Sequence, residues 1–249
     1  MNKKSLEIYD DPLFFNNYIN LRNKENNYND LIEQPIVFDL IGDVRNKSVL
    51  DIGCGYGAMT IKIAKSGAEK VIGVDVSERM IEKANTENSD DKIQYKNISA
   101  EQINTIEDKF DVVVSCLAIH YIENFKELFT NIASLVKAKG KFIFSMEHPM
   151  YTASKFPQQW INDSNTNIST AFITDHYGEE GIRCIEWLGK KVIKYHHKTE
   201  TVINSLIDAG FIIEKIIEPT PTKEMMEKIP KTSHELHRPA YLIVKCNKI

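Results

Sequence analysis

Residues 49–57, Val-Leu-Asp-Ile-Gly-Cys-Gly-Tyr-Gly, join a short apolar run to an acid, Asp51, and three alternating glycines. Only glycine lets a backbone turn this tightly and also come close to a ligand. A second acid, Asp75, closes the next apolar run, Val71-Ile72-Gly73-Val74. It falls about twenty residues beyond the glycines, the interval at which a strand–turn–helix–strand unit presents a carboxylate to a nucleotide ribose.

Those residues need strands to hold them. Residues 48–52 read as a buried strand, 58–66 as a helix stopped at Gly67, and 70–75 as a second strand. Ser77 caps a helix running through Met80, Ile81 and Ala84, and residues 93–97 form a third strand. The β-branched run within 110–116 suits a fourth strand covered on both faces. A helix over 124–137 ends before Gly140, with Lys137 and Lys139 at its solvated end, where the dipole favours them. A fifth strand spans 140–146, a helix 199–209 stops at Gly210, and strands near 211–217 and 240–246 finish the chain. Such alternation implies right-handed crossovers and a parallel sheet.

Two segments stand outside this pattern. Residues 10–41 read as one or two amphipathic helices. Residues 147–197, rich in aromatics, Asn and His, lack a long clean period and read as an insertion over the carboxyl edge of the sheet, where open α/β sheets bind ligands. The expectation is a single domain over 1–249, with an N-terminal helical cap over 1–41 and a substrate-covering insertion over 147–197. Trp160, Phe172, Tyr177 and Trp187 would pack the insertion, or one of them would line an apolar pocket.

Composition narrows the classes. A net charge of −4 gives no basic footprint for nucleic acid. The four cysteines are far apart with no C-x-x-C pair, which argues against disulfide staples and a metal site. No apolar run reaches membrane-spanning length, and the first seven residues lack the apolar stretch of a signal peptide. A cytoplasmic protein, monomer or homodimer, without membrane or nucleic-acid partners, is expected.

The motifs resemble, in order, those of class I S-adenosylmethionine-dependent methyltransferases: residues 49–57, the Gly73-Val74-Asp75-Val76-Ser77 turn, and Phe110-Asp111-Val112-Val113. The pattern is most similar to the small-molecule branch called methyltransferase type 11. Residues 117–121, 145–149, 195–199 and 209–211 look similar to one bacterial subgroup, so the resemblance covers most of 36–246. It implies a Rossmann-like α/β fold: a seven-stranded, mostly parallel sheet with an antiparallel last strand and helices on both faces. It implies S-adenosyl-L-methionine as cofactor and a small-molecule methyl acceptor. Residue by residue, it puts Asp51 near the cofactor's amino group, Gly53 and Gly55 against its methionine part, Asp75 on the ribose hydroxyls and Val76 over the adenine. Ser99-Ala100-Glu101 aligns with a segment that often carries Asp where this chain has Ser99; serine accepts a hydrogen bond more weakly and without charge. Cys116 follows the fourth strand, where a backbone carbonyl often meets the cofactor, and Arg22 reaches the cofactor carboxylate.

The residues themselves separate this cofactor from a dinucleotide. A carboxylate at Asp51 repels phosphates yet suits an ammonium group. Spacing alone does not decide, because Ala58 occupies the place of the third fingerprint glycine and the fingerprint accepts alanine there. A dinucleotide-dependent oxidoreductase and a cofactor-binding protein without catalysis therefore stand as alternatives. Methyl transfer is an in-line substitution in which the enzyme aligns the acceptor and excludes water. A hydroxyl or ammonium acceptor also needs a base. The candidates are His120 after the fourth strand, His148 and Glu147 after the fifth, and His196, preferred over His197 because strand alternation sends one inward and the other outward.

Overall fold

Val49, Leu50 and Ile52 are fully buried and form the centre of β1 (Ser48–Ile52). The computed structural model describes residues 7–157, 159–166 and 169–249; residues 1–6, on which the reading of the leader mostly rests, lie outside them. Ahead of β1 come α1 (Pro12–Arg22), a π-helical turn (Asn29–Glu33) and α2 (Gln34–Ile41). Asp11 caps α1 by accepting the Leu13 and Phe14 amides, with Pro12 at the first position.

After β1 follow α3 (Ala58–Lys65), β2 (Lys70–Asp75), α4 (Glu78–Glu87), β3 (Ile93–Asn97), β4 (Phe110–Cys116), α5 (Phe125–Leu135) and β5 (Val136–Glu147). After the insertion come α7 (Thr199–Asp208), β10 (Phe211–Ile217), α8 (Lys223–Lys228) and β11 (Tyr241–Lys248). The sheet order is β10-β11-β5-β4-β1-β2-β3, with β11 antiparallel to both neighbours and the other pairings parallel. This is the expected Rossmann-like sheet.

Strand alternation divides the core into two layers. Leu50, Ile52, Ile72, Val74 and Val113 face α5 and α7, meeting Phe125, Phe129 and Leu206. Val49, Val71, Val112 and Val114 face α2 and α3, meeting Val37, Ile41 and Ile63. The chain winds outward from β1 to β3, then crosses to β4 on the other side of β1. That switch point is where an open α/β sheet leaves a crevice.

Two local expectations are corrected. The helix expected over 124–137 stops at Leu135, and β5 begins at Val136, which pairs with Phe110. Lys137 therefore lies on β5 and not at a helix end; it stays solvent-exposed, as expected, with its ammonium 2.8 Å from Asp111 Oδ2. The insertion is also more regular than its sequence suggests. It contains α6 (Pro149–Thr152) and two antiparallel hairpins, β6 (Gln159–Asn162) with β7 (Ser169–Ile173), and β8 (Gly181–Trp187) with β9 (Lys190–His196).

The second hairpin packs on α1. Phe14 meets Trp187 edge to face at 5.5 Å, Lys190 pairs with Asp11 at 2.8 Å, and Asn17 donates to the Leu188 carbonyl in the hairpin turn. No helix among the described residues is long and apolar enough to cross a membrane.

Candidate active site

The glycine turn after β1 is pinned to β2: the Gly53 and Cys54 amides both donate to the Val74 carbonyl, at 2.8 and 3.0 Å. Gly53 has φ +70°, and a Cβ there would lie 2.2 Å from the Ala118 Cβ, so no other residue fits. Gly55 has φ +55° with no protein atom within 4 Å of where its Cβ would be, and its amide donates to Asp75 Oδ2 at 2.9 Å. Asp75 Oδ1 accepts the Ser77 amide at 2.9 Å. The two acids expected to act together are thus tied to one loop.

A cavity opens at the switch point between β1 and β4. Asp51, Gly53, Gly55, Asp75, Val76 and Cys116 line it, as the sequence leads one to expect, together with Arg22 and Ala100. Ser99 and Glu101 face a neighbouring cavity beyond Val76, and Ser99 donates to Gln102 Oε1 at 3.4 Å. Leu117, just past Cys116, holds φ +50° with its amide bonded to Ser145, a strained backbone of the kind that gathers at binding sites.

The charges in this cavity are out of balance. Asp51 is 1 % exposed; Thr60 Oγ1 donates to its Oδ2 at 2.6 Å, while Oδ1 is buried without a partner. Burial pushes its carboxyl up to about 7, the Thr60 bond works against that, and Asp75 and Glu33 add to it. Burial also raises Asp75, opposed by the Ser77 and Gly55 amides. Glu33 is fully buried with one unpartnered oxygen and lines the same cavity. Arg22, 8 % exposed, binds Asp30 and Asn27 and is the cation among the lining residues. These groups fit a ligand carrying a carboxylate and positive charge.

A second, larger cavity adjoins the first and shares Tyr9, Tyr18, Arg22, Asn29, Leu117 and Tyr121 with it. At its floor, Lys194 Nζ pairs with Glu147 Oε1 at 2.5 Å, and the ammonium sits 5.2 Å above the Trp187 ring. Burial alone would raise Glu147, but Lys194 and His120 more than offset it and hold it below the usual carboxylate range. His120 also lines this cavity; its Nδ1 accepts the Glu147 amide at 3.4 Å, and burial pushes it down to about 4.

The other histidines lie elsewhere. His148 Nδ1 accepts the Met150 amide and so caps α6, while Nε2 meets Glu218 at 2.7 Å. His196 is fully buried between Thr152 Oγ1 and the Tyr177 carbonyl, each 3.0 Å away. Neither lines either cavity. The expected alternation at His196 and His197 does not hold, because β9 ends at His196. His197 is buried as well, stacked on Phe125 at 3.8 Å.

Sequence reasoning missed Glu33, Lys194 and the tyrosines of the shared wall. For Glu33 a signal existed: it stands four and seven residues before Val37 and Leu40, on the apolar stripe of α2, where an acid is out of place. Lys194 and Tyr121 come from segments with nothing in their own sequence to connect them.

Comparison with known proteins gives this geometry its chemistry. A family described as "Methyltransferase domain" matches residues 50–144. An uncharacterized protein of Haemophilus influenzae is 35% identical over 260 residues, covering 100% of this chain and 99% of its own. A ubiquinone biosynthesis O-methyltransferase of Coxiella burnetii is 33% identical over 46% of this chain and 47% of its own. The crystal structure of an S-adenosylmethionine-dependent methyltransferase from Mesorhizobium loti superimposes with a TM-score of 0.80 at 32% identity, covering 87% of this chain and 97% of that one. The oxidoreductase alternative falls with that likeness. The chain belongs to the S-adenosylmethionine-dependent methyltransferases, with S-adenosyl-L-methionine as cofactor.

Proposed function

We propose that this enzyme methylates a small-molecule acceptor seated in the larger cavity, by in-line displacement through the wall that the two cavities share. The carrying observation is that wall: Tyr9, Tyr18, Leu117 and Tyr121 border both spaces, so an acceptor on one side faces a cofactor on the other. The cofactor, when bound, supplies a methyl carbon activated by the adjoining sulfonium charge.

This chain's residues then have distinct tasks. Asp51 Oδ1 receives the ammonium group and Arg22 the carboxylate. Asp75 takes the ribose hydroxyls, with Gly53 and Gly55 leaving room for close approach. Val76 and Ala100 cover the adenine, which lacks a charged partner because this chain has Ser99 where Asp is common, and the Ser99 hydroxyl donates to Gln102. Cys116 forms the wall beside the methionine part. α1 and the β8–β9 hairpin, joined by Phe14, Trp187, Asp11 and Lys190, close over the acceptor and keep water out.

Of the three histidines, we assign His120 to the acceptor because it lines the larger cavity. Its Nδ1 lone pair accepts an amide, so the neutral ring carries its proton on Nε2. A ring with that tautomer and a pKa of about 4 is a poor base at neutral pH. We assign it to orienting the acceptor as a hydrogen-bond donor beside the Glu147 carboxylate. Eight aromatic residues, among them Tyr28, Tyr151, Trp160 and Tyr241, line the cavity and suit an acceptor with a flat apolar body. The partial likeness to an O-methyltransferase is consistent with oxygen as the accepting atom.

The test is release of S-adenosyl-L-homocysteine when the protein and cofactor meet fractionated metabolite pools. Turnover with a low-molecular-weight fraction that Trp160→Ala abolishes supports the reading. Turnover only with nucleic acid or protein fractions overturns it.

A further inference from the structure

Asp51 provides for one cationic centre of the cofactor, yet a second buried acid on the same cavity has no task in the scheme above. Glu33 ends the π-helical turn Asn29–Glu33, an uncommon distortion that recurs at functional positions. Its Oε1 accepts the Ser145 hydroxyl at 2.5 Å, which fixes its orientation. Its Oε2 is buried with no partner. A carboxylate oxygen kept from water without a donor is unfavourable, so one that lines a ligand cavity marks a donor or cation still to come. Burial raises Glu33 above the usual carboxylate range, against the pull of Ser145, Cys116 and Arg22.

Charge counting completes the argument. The charged residues lining the cavity are Arg22, Glu33, Asp51 and Asp75. With Asp75 on the ribose, one cation and two anions remain. S-adenosyl-L-methionine carries the mirror set: one carboxylate, one ammonium and one sulfonium. We propose that Glu33 is a cofactor-binding residue that, with Asp51, matches the two positive charges of the cofactor and so makes the cavity prefer the sulfonium to the thioether left after transfer. This rests on the methyltransferase reading. In the reaction the acceptor's lone pair forms the new bond to the methyl carbon, and the electrons of the broken carbon–sulfur bond stay on sulfur. The positive charge passes to the acceptor or leaves as its proton. The product then no longer balances both acids, which weakens its hold and helps it depart.

Calorimetric titration of the whole protein with S-adenosyl-L-methionine, S-adenosyl-L-homocysteine and sinefungin, in which an amine replaces the sulfonium, tests this. The wild type should bind the two cationic compounds about tenfold more tightly than the thioether. Glu33→Gln should lose about that factor for the cationic pair and change by less than about twofold for the thioether. Equal losses for all three, as expected if Glu33 met only the ammonium, overturn the proposal, as does an unchanged variant. Should Glu33→Gln not fold, the wild-type ranking still decides, because equal affinity for the three compounds is incompatible with charge matching. Failure of the wild type to bind any of them would instead strike the functional reading itself.

Discussion

Thr60 Oγ1 lies 2.6 Å from Asp51 Oδ2, and this single bond divides the carboxylate into a satisfied oxygen and an exposed need. α3 holds one side; the other, Oδ1, is buried without a partner in a residue that lines the cavity. The ligand-free protein therefore carries an electrostatic strain that a cation would relieve.

That strain has a pH signature. The folded-state value of Asp51, about 7, lies above the value near 4 expected unfolded, so the folded state keeps a proton that the unfolded state has lost. Stability from this group is full below about pH 4, falls as pH rises through about 7, and is flat above. Asp75 and Glu33 push Asp51 in the same direction. Asp51→Asn removes the buried charge, so near pH 8 the ligand-free variant should be the more stable form, by on the order of 1–4 kcal/mol. Near pH 4 the two should converge, and the variant should bind the cofactor less well. Melting curves recorded across this range would refute the assignment if they ran parallel.

Asp75 supports both loop and ligand. Its two oxygens take the Gly55 and Ser77 amides, each at 2.9 Å. Asp75→Ala should weaken cofactor binding by at least about tenfold, and losing charge-assisted bonds should also lower stability by roughly 1–3 kcal/mol. The secondary structure, read by circular dichroism, should persist. Unchanged affinity by calorimetry would remove Asp75 from the ribose.

What could be read beforehand follows from where each signal resides. β1, β2 and β4 match their expected limits because each is a short Val/Ile-rich run largely buried on both faces, whereas β3 is a half-exposed edge strand whose limits follow from its place in the strand–helix alternation. Asp51 and Asp75 are legible because the turn chemistry lies beside them. The β8–β9 hairpin was missed because its turn, Leu188-Gly189, has positive φ at both residues without the usual Asn-Gly or Asp-Gly pair. Tertiary contacts supply the compensation, including the Asn17 bond to the Leu188 carbonyl. The acceptor cavity was illegible for another reason. Tyr9, Tyr121 and Lys194 are brought together by packing, and no local pattern records contacts between residues so far apart.

Lys194 and Glu147 form a buried pair whose loss depends on how it is broken. Their side chains are 5% and 16% exposed, and Lys194 stands over the Trp187 and Tyr121 rings. Lys194→Met leaves Glu147 charged in the core and should cost about 3–5 kcal/mol, while the double change Lys194→Met with Glu147→Leu should recover much of that. Urea denaturation of the two single variants and the double checks this. Additive losses would mean that the two residues do not act as a pair.

His120 tests the division between holding the acceptor and taking its proton. Its ring is buried against Tyr121, its Nδ1 is spent on the Glu147 amide, and its pKa of about 4 keeps it neutral through the physiological range. A histidine base of ordinary pKa would impose a falling limb on kcat/KM near pH 6.5. A neutral donor imposes none. Once an acceptor is in hand, the wild-type profile should therefore show no histidine limb between about pH 6 and 8. His120→Phe, which keeps the ring packing and removes the donor, should lower kcat/KM by about 10–100-fold while leaving cofactor affinity unchanged. His120→Gln, which restores an N–H, should regain part of that loss. A limb near pH 6.5 that disappears in His120→Gln would return the histidine to the role of base, and the acceptor would then be one that must surrender a proton to react.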